Sequence, residues 1–202
     1  MTLAGVVLCG GRSTRMGCCK AELPFGPETM LQRVVRLLRE AARPLVVVAA
    51  PGQNVPRLPA DVQLVYDHRP GRGPLEGIYA GLSALPRECP RAYVTACDAP
   101  FLVPRFVQRM AELLGDRAIA VPSIDDRPHP LAAVYRRDVQ DTVQRLLADG
   151  NLRVGALLEE LPIRRVSAAE LLDVDPQLQT LRNLNSPEDY RAALADAGLA
   201  CP

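Results

Sequence analysis

A glycine-rich segment that carries three cationic side chains follows the first apolar run of the chain. The run covers residues 3–8 and is typical of a buried strand, and the segment after it contains Arg12, Arg15 and Lys20. Glycines let backbone N–H groups approach an anion closely, and the cations neutralise its charge. A tight turn with solvated arginines is the alternative. Because glycines and cations crowd together directly after a strand, the segment predicts a loop that holds a polyphosphate.

This segment matches neither of two common phosphate-binding motifs. Its spacing departs from G-x-x-x-x-G-K-[ST], which argues against a P-loop ATPase. It departs equally from G-x-G-x-x-G, which argues against a Rossmann dinucleotide site. The loop therefore indicates phosphate binding without specifying either of these protein classes.

Asp98 follows a second apolar run, at residues 92–96. Ligands of open α/β sheets bind outside the carboxyl ends of the strands. Mg²⁺ is usually held there by one or two carboxylates together with substrate phosphate oxygens. Taken alone, Asp98 could equally cap a turn before Pro100. Together with a cationic loop after another strand, it favours a magnesium site.

Two further positions are candidates for substrate contacts. Asp67 follows the apolar run 63–66 and precedes a glycine-rich stretch that includes Gly73. Its carboxylate could accept hydrogen bonds from a base edge or a sugar hydroxyl, or it could belong to a plain surface loop. Asn183 and Asn185 precede the last helix, and their amide oxygens could ligate Mg²⁺, hold a substrate or satisfy the turn backbone.

Apolar strand-like runs alternate with helical patterns along the chain. This alternation predicts an α/β fold of three α/β/α layers, with a mostly parallel (mixed) central sheet that is covered on both faces. The proline-rich stretch 51–61 is interpreted as a loop rather than a linker, so residues 1–202 are expected to form one domain. The expected strands are 3–8, 45–50, 63–66, 92–96, 118–121 and 131–135, and the expected helices are 29–42, 74–85, 104–114, 137–148 and one starting at Ser186 as N-cap with Pro187 and Asp189.

Composition limits the partners of the protein. A net charge of +1 provides no global field for nucleic acid or an anionic membrane. No apolar run approaches the roughly 20 residues that span a bilayer, and the first residues lack the pattern of a signal peptide. A cytoplasmic location is therefore expected. The six cysteines form no C-x-x-C pair, which favours free thiols in a reducing compartment.

Several motifs together resemble a known family. Residues 8–20 are similar to the nucleotide-binding loop of the nucleotidyltransferase superfamily, whose glycosyltransferase-A-like fold is the Rossmann-like nucleotide-diphospho-sugar transferase type. Residues 73–82, 97–101, 129–131 and 183–188 resemble the molybdenum cofactor guanylyltransferases. The likeness extends from about residue 3 to residue 190.

The resemblance implies transfer of GMP from GTP to the terminal phosphate of molybdenum-molybdopterin, with release of pyrophosphate and with Mg²⁺ as cofactor. Molybdoenzymes or cofactor-delivery proteins are implied as further partners. The attacking phosphate is already ionised at neutral pH, so no general base is required. The residues implied to bind GTP, the metal or the acceptor are Leu8, Cys9, Gly10, Gly11, Lys20, Asp67, Gly73, Asp98, Asn183 and Asn185, with Asp98 on Mg²⁺ and with Lys20 and Arg15 facing the pyrophosphate.

The chain departs from the family pattern at three places. Cys9 stands where the family usually has alanine, and Cys19 stands where an aspartate usually precedes the lysine. The second change leaves the salt bridge or hydrogen bond that would anchor the loop unassigned. Residues 48–50 lack the asparagine that relatives often carry, so one nucleotide contact is also unassigned. Two alternatives remain open: a cytidylyl- or sugar-phosphate nucleotidyltransferase, and a non-catalytic module that binds nucleotide or molybdopterin.

Overall fold

The computed structural model describes residues 2–10, 19–69 and 71–200. Gly11, Arg12 and Arg15, which are expected in the phosphate-binding loop, lie outside the described residues. The strands are β1 (Ala4–Leu8), β2 (Pro24–Phe25), β3 (Glu28–Thr29), β4 (Leu45–Ala49), β5 (Val62–Tyr66), β6 (Arg91–Ala96), β7 (Ile119–Ile124), β8 (Arg127–Pro128), β9 (Ala132–Arg136) and β10 (Ile163–Val166). The helices are α1 (Met30–Leu38), α2 (Pro74–Ala84), α3 (Pro104–Leu113), α4 (Val139–Ala148), α5 (Val154–Glu160) and α6 (Pro187–Asp196), with short 3₁₀ turns at Lys20–Glu22, Ala168–Glu170 and Gln179–Leu181.

Most of these strands form one mixed sheet. Their order is β10-β7-β9-β6-β1-β4-β5, with β8 paired to β7. β1 runs parallel to β4 and β6, and β4 runs parallel to β5, whereas β9 is antiparallel to both β6 and β7. Parallel neighbours need crossover connections, and helices supply them. The predicted mixed sheet of an α/β fold is confirmed.

Helices cover both faces of the sheet. Successive side chains of a strand point to opposite faces, so Val7 and Val6 of β1 belong to two different apolar clusters. The Val7 cluster is completed by α1 and α3, and the Val6 cluster by α2, α4 and α5. A third, smaller cluster packs α6 against Phe25 and Met30. The three predicted layers are therefore present.

Two helices begin at capping boxes. At α1, the Thr29 side chain accepts a hydrogen bond from the backbone N–H of Gln32, and the Gln32 side chain accepts one from Thr29. At α6, Ser186 and Asp189 satisfy each other's backbone N–H groups in the same way, and Pro187 takes the first helical position. The predicted start of the last helix is confirmed.

Apart from shifts at the ends of several elements, the sequence predictions differ from the structure at the end of α1 and in the elements that they lack, which are α5, β2, β3, β8 and β10. α1 ends at Leu38 rather than at residue 42, because the chain turns there and the N–H groups of Ala41 and Ala42 both bond to the Leu38 carbonyl. Ala42 stays buried in this turn, which explains why its apolar character suggested a longer helix. α5 and β10 were not predicted, because α5 has only seven residues and β10 is an edge strand with two arginines.

A buried carboxylate organises the segment that leads to α6. Asp175 is 2% exposed and accepts hydrogen bonds from the backbone N–H groups of Gln179 and Thr180, each at 2.9 Å. The Thr180 hydroxyl accepts in turn from the backbone N–H of Val103, which precedes α3. These bonds fix the course of the chain just before Asn183 and Asn185.

Within the described ranges, no helix is both long enough and apolar enough to cross a membrane.

Candidate active site

The carboxyl ends of four adjacent strands meet at one edge of the sheet. Leu8, the last residue of β1, is in register with Val48 of β4 and Ala96 of β6, and Tyr66 of β5 is in register with Ala49. This register brings the residues that follow each strand to a common edge, as the sequence predicts. They are Cys9 and Gly10 after β1, Ala50 after β4, Asp67 after β5, and Cys97 and Asp98 after β6.

Lys20 and Asp98 are in direct contact at this edge. The ammonium Nζ of Lys20 lies 2.8 Å from Oδ2 of Asp98, and the two side chains are 16% and 13% exposed. The same ammonium donates a hydrogen bond to Oδ1 of Asn185 at 3.0 Å. The Lys20 ammonium thereby connects Asp98 with Asn185, which lies 165 positions after the lysine. The predicted meeting of Lys20 with Asp98 is confirmed.

The backbone of the C-terminal segment is tied to the same point. The backbone N–H of Leu184 donates to the carbonyl of Asp98 at 2.9 Å, and the Leu184 side chain is fully buried against α6. Asn185 is thereby held over Lys20. Asn183, on the other side of Leu184, is exposed, and no contact places it on the Lys20 ammonium.

Gly10 permits a close approach of β1 to Asp67. A Cβ atom at Gly10 would lie 3.1 Å from Oδ2 of Asp67 and 3.2 Å from the backbone nitrogen of Ala50. Gly73 takes a positive φ of 73° as the N-cap of α2, a conformation that favours glycine. Both glycines were predicted as site residues, and the structure gives each a steric or conformational reason.

Asp67 is half-buried beside a second carboxylate. The pKa of Asp67 is raised to about 6, mainly by burial and also by the nearby charge of Glu76, while His68 acts to lower it. Glu76 is only 3% exposed, and one of its oxygens accepts from the backbone N–H of Arg69 at 3.3 Å. Its other oxygen lies 3.8 Å from the Arg72 guanidinium without a hydrogen bond. Sequence reasoning missed Glu76, because an acidic residue in the first turn of a helix is ordinary.

We expect Glu76→Gln to lower the pKa of Asp67 while leaving it above the ordinary value. Glutamine keeps the shape and removes the neighbouring charge, but burial, the larger cause, remains. A carboxyl-carbon NMR titration measures this change, and Glu159→Gln on the exposed end of α5 is the control. An unchanged Asp67 titration in Glu76→Gln would contradict the expected coupling.

The raised pKa of Asp67 also sets the sign of a stability effect. The folded chain binds this proton more tightly than the unfolded chain, so the group favours folding below about pH 4. That contribution is lost as the pH rises through about 6. In Glu76→Gln the pKa of folded Asp67 is lower, so this contribution to stability is lost at a lower pH.

A cavity of about 260 Å³ lies on the Asp67 side of the site. His68 packs edge-on against Tyr79 at 5.5 Å between ring centroids, and the Arg72 guanidinium donates to the Leu147 carbonyl near the end of α4. These contacts join the loop after β5 to α2 and α4. The residues that line the cavity are His68, Arg69, Arg72, Glu76, Tyr79, Gln144, Leu147 and Ala148.

The cysteines of the described residues are free thiols, as predicted. Burial raises the pKa of Cys9 to about 12, and burial also raises the pKa of Cys97. Both thiols therefore stay protonated and are poor nucleophiles. Cys19 is half-buried, and its sulfur accepts a hydrogen bond from the side-chain amide of Gln53 at 3.3 Å. Gln53 is a second residue that sequence reasoning missed.

The oxygen atoms around Lys20 fit a divalent cation that is shared with a substrate. Oδ1 of Asp98 is buried and has no hydrogen-bond partner in the described part of the chain. Carboxylate and amide oxygens, here those of Asp98 and Asn185, are hard ligands suited to Mg²⁺ or Mn²⁺. No group of three or more His, Cys, Asp or Glu residues in the described ranges is arranged to hold a metal ion by itself. Asp98 would supply one carboxylate to such an ion, with phosphate oxygens of a substrate as further ligands.

A lysine, a single carboxylate and a glycine-bearing strand end therefore share one edge of a mixed, helix-covered sheet. Cation and carboxylate at 2.8 Å are suited to hold a polyphosphate and its counterion, whereas no nucleophile with a base stands out among the described residues. These features are suited to a nucleotidyltransferase.

Comparison with known proteins specifies the family. The model of the MobA-like NTP transferase domain matches residues 5–166. A probable molybdenum cofactor guanylyltransferase of Mycobacterium avium (strain 104) is 37% identical over 196 residues, which cover 95% of each chain. The chain belongs to the MobA-like NTP transferases.

Solved structures agree on the fold. The molybdopterin-guanine dinucleotide biosynthesis protein A of Archaeoglobus fulgidus superposes with a TM-score of 0.80 at 23% identity, over 97% of this chain and 99% of that one. A protein of Mycobacterium tuberculosis H37Rv, determined in complex with manganese, gives a TM-score of 0.68 at 22% identity, over 96% and 98% of the two chains. At these identities, the likeness establishes the fold.

Proposed function

We propose that the protein transfers GMP from GTP to the terminal phosphate of molybdopterin that carries molybdenum, and releases pyrophosphate. The contact of Lys20, in the 3₁₀ turn at Lys20–Glu22, with Asp98 after β6 is the observation that carries the proposal. The 37% identical relative is named for this guanylyl transfer, and its alignment covers nearly the whole chain. Residues 1–202 are proposed to act as one nucleotidyltransferase domain.

Charge neutralisation and positioning are the main tasks of this site. Both substrates are anionic, so bringing them together in line at the α-phosphorus requires cations. Lys20 is proposed to face the triphosphate, with Arg15 beside the leaving pyrophosphate. The backbone of residues 8–11 is proposed to hold GTP, because glycine at position 10 leaves the backbone open where a Cβ atom would already lie 3.1 Å from Oδ2 of Asp67.

Asp98 is proposed to hold a divalent metal, and Mg²⁺ is the proposed ion. When bound, the ion would neutralise charge that develops on the phosphate oxygens. The unpartnered Oδ1 of Asp98 supports this assignment, as does the manganese complex of the M. tuberculosis relative. The Lys20 ammonium contacts the other oxygen, Oδ2, so the carboxylate is held in place.

The nucleotide side and the acceptor side of the site are proposed to lie on opposite flanks of Lys20. Asp67 and Gly73, near the end of β5 and the start of α2, are proposed to contact the nucleoside. Asn183 and Asn185, on the C-terminal segment, are proposed to contact the metal-linked phosphates or the acceptor. Molybdoenzymes or delivery proteins are proposed to receive the product.

A pyrophosphate-release assay tests the proposal. We expect release with GTP, a divalent cation and a molybdopterin source, and much less when GTP is replaced by CTP or UTP. Release with CTP instead would favour a cytidylyltransferase of the same fold. Tight GTP binding without pyrophosphate release in the presence of acceptor would favour the non-catalytic binding module.

A further inference from the structure

The side-chain amide of Gln53 forms hydrogen bonds with three residues near the candidate active site, Ala50, Cys9 and Cys19. It lies in the loop after β4, where its Oε1 accepts from the backbone N–H of Ala50 at 3.1 Å. Its Nε2 donates to the carbonyl of Cys9 at 2.9 Å and to the sulfur of Cys19 at 3.3 Å. An amide NH₂ has two hydrogens, so both donors are used.

These two bonds hold both ends of the glycine-rich segment. Cys9 is the first residue after β1, and Cys19 directly precedes Lys20. The two cysteines are ten positions apart in sequence, yet a single nitrogen atom contacts both. Because Cys19 is adjacent to Lys20, its position determines where the Lys20 backbone lies relative to Asp98 and Asn185.

The neighbouring residue adds a second connection between the same two segments. The Asn54 amide donates a hydrogen bond to the Glu22 carboxylate, in the 3₁₀ turn that starts at Lys20. The loop after β4 therefore contacts the chain just before Lys20 and just after it. Gln53 is half-buried, whereas Asn54 is exposed, so the Gln53 bonds are better protected from water.

We propose that Gln53 is a positioning residue for GTP, acting through Cys9 on the end of β1 and through Cys19 on Lys20. This inference rests on the proposed use of GTP. It explains how Lys20 is anchored although a cysteine, rather than an acidic residue, precedes it: a neutral amide donor meets a weak sulfur acceptor. It also gives a role to the loop after β4, which follows the aliphatic residues 48–50.

The main test compares Gln53→Leu with Gln32→Leu. We expect the KM for GTP to rise about tenfold in Gln53→Leu while kcat changes less than twofold, because the anchor serves ground state and transition state alike. Gln32 is also half-buried and also bonds two backbone groups, Thr29 N–H and the Arg57 carbonyl, but touches neither cysteine. Gln32→Leu should lose comparable thermal stability with an unchanged KM.

Cys19→Asp leaves Gln53 in place and keeps the inference falsifiable if Gln53→Leu folds poorly, since an unchanged KM for GTP in this variant would contradict the inference. Cys19→Asp should lower the KM for GTP, because a carboxylate accepts from the same amide more strongly. Cys19→Asp combined with Gln53→Leu should lose that gain. Equal KM values for Gln53→Leu and Gln32→Leu, or a Cys19→Asp effect that persists without Gln53, would overturn the inference.

The same measurements separate this inference from the proposed function. If the unaltered protein releases no pyrophosphate from GTP, the proposed function fails. In that case GTP binding, followed by the shift in thermal unfolding, still tests Gln53. A protein that binds GTP equally well with glutamine or leucine at position 53 would contradict the positioning role alone.

Discussion

Asp98→Ala is expected to lower kcat for GMP transfer at least about a hundredfold, a loss of about 2.7 kcal/mol in transition-state stabilisation. The substitution removes the buried Oδ1 that is proposed for the metal and the Oδ2 that contacts Lys20. The backbone carbonyl of Asp98 still accepts from Leu184, so the C-terminal segment should keep its place. Pyrophosphate release at saturating GTP measures the effect.

Two control variants test whether the loss of activity comes from the charge of Asp98 rather than from its shape, and whether it is specific to this carboxylate. Asp98→Asn keeps the size of the side chain and an oxygen for Lys20 but removes the negative charge, so most of the loss should persist. Asp149→Ala removes an exposed carboxylate at the end of α4 and should leave kcat unchanged. Turnover by Asp98→Ala at the level of the unaltered protein would remove Asp98 from the metal site.

The meeting of the candidate site residues could be predicted because the carboxyl ends of parallel strands lie at the same edge of a sheet. Two apolar runs, 3–8 and 92–96, are followed by a lysine-bearing glycine segment and by Asp98 respectively. Parallel pairing of β1 with β6 is sufficient to bring them to one edge, whatever the order of the outer strands. The contact at 2.8 Å between Lys20 and Asp98 also depends on where the chain places Lys20, which lies twelve positions beyond the end of β1, and strand pairing alone does not fix that place.

Other features depend on contacts that no local pattern encodes. Gln53 meets Cys19 and Cys9 across 34 and 44 residues of sequence, and a glutamine in a proline-rich loop gives no periodic signal. Glu76 is in the first turn of α2, where an exposed acidic residue is the usual expectation, yet the loop after β5 covers it. Both become functional candidates only when the tertiary contacts are known.

The antiparallel strand β9 could also be predicted only in part: the sequence indicates the strand but not its place in the sheet. Its apolar run at 131–135 indicated a strand, and its position between β6 and β7 is a property of topology. Because β9 is antiparallel to both neighbours, the sheet is mixed. The helix that follows β9, α4, packs on the same face of the sheet as α2. The cavity beside Asp67 is bounded by the end of α4, so this part of the site arises from chain connectivity rather than from a motif.

Lys20→Ala is expected to lower kcat/KM for GTP at least about a hundredfold, or about 2.7 kcal/mol. The variant removes the cation proposed to face the triphosphate and leaves Asp98 and Asn185 without their shared donor. Lys20→Arg keeps the charge and should recover part of the loss, whereas Lys20→Met should not. Because Lys20 and Asp98 are proposed to serve one nucleotide, the double variant should lose much less than the product of the two single losses. Strictly multiplicative losses would show that the two groups act independently, and unchanged kinetics in Lys20→Ala would remove the lysine from the site.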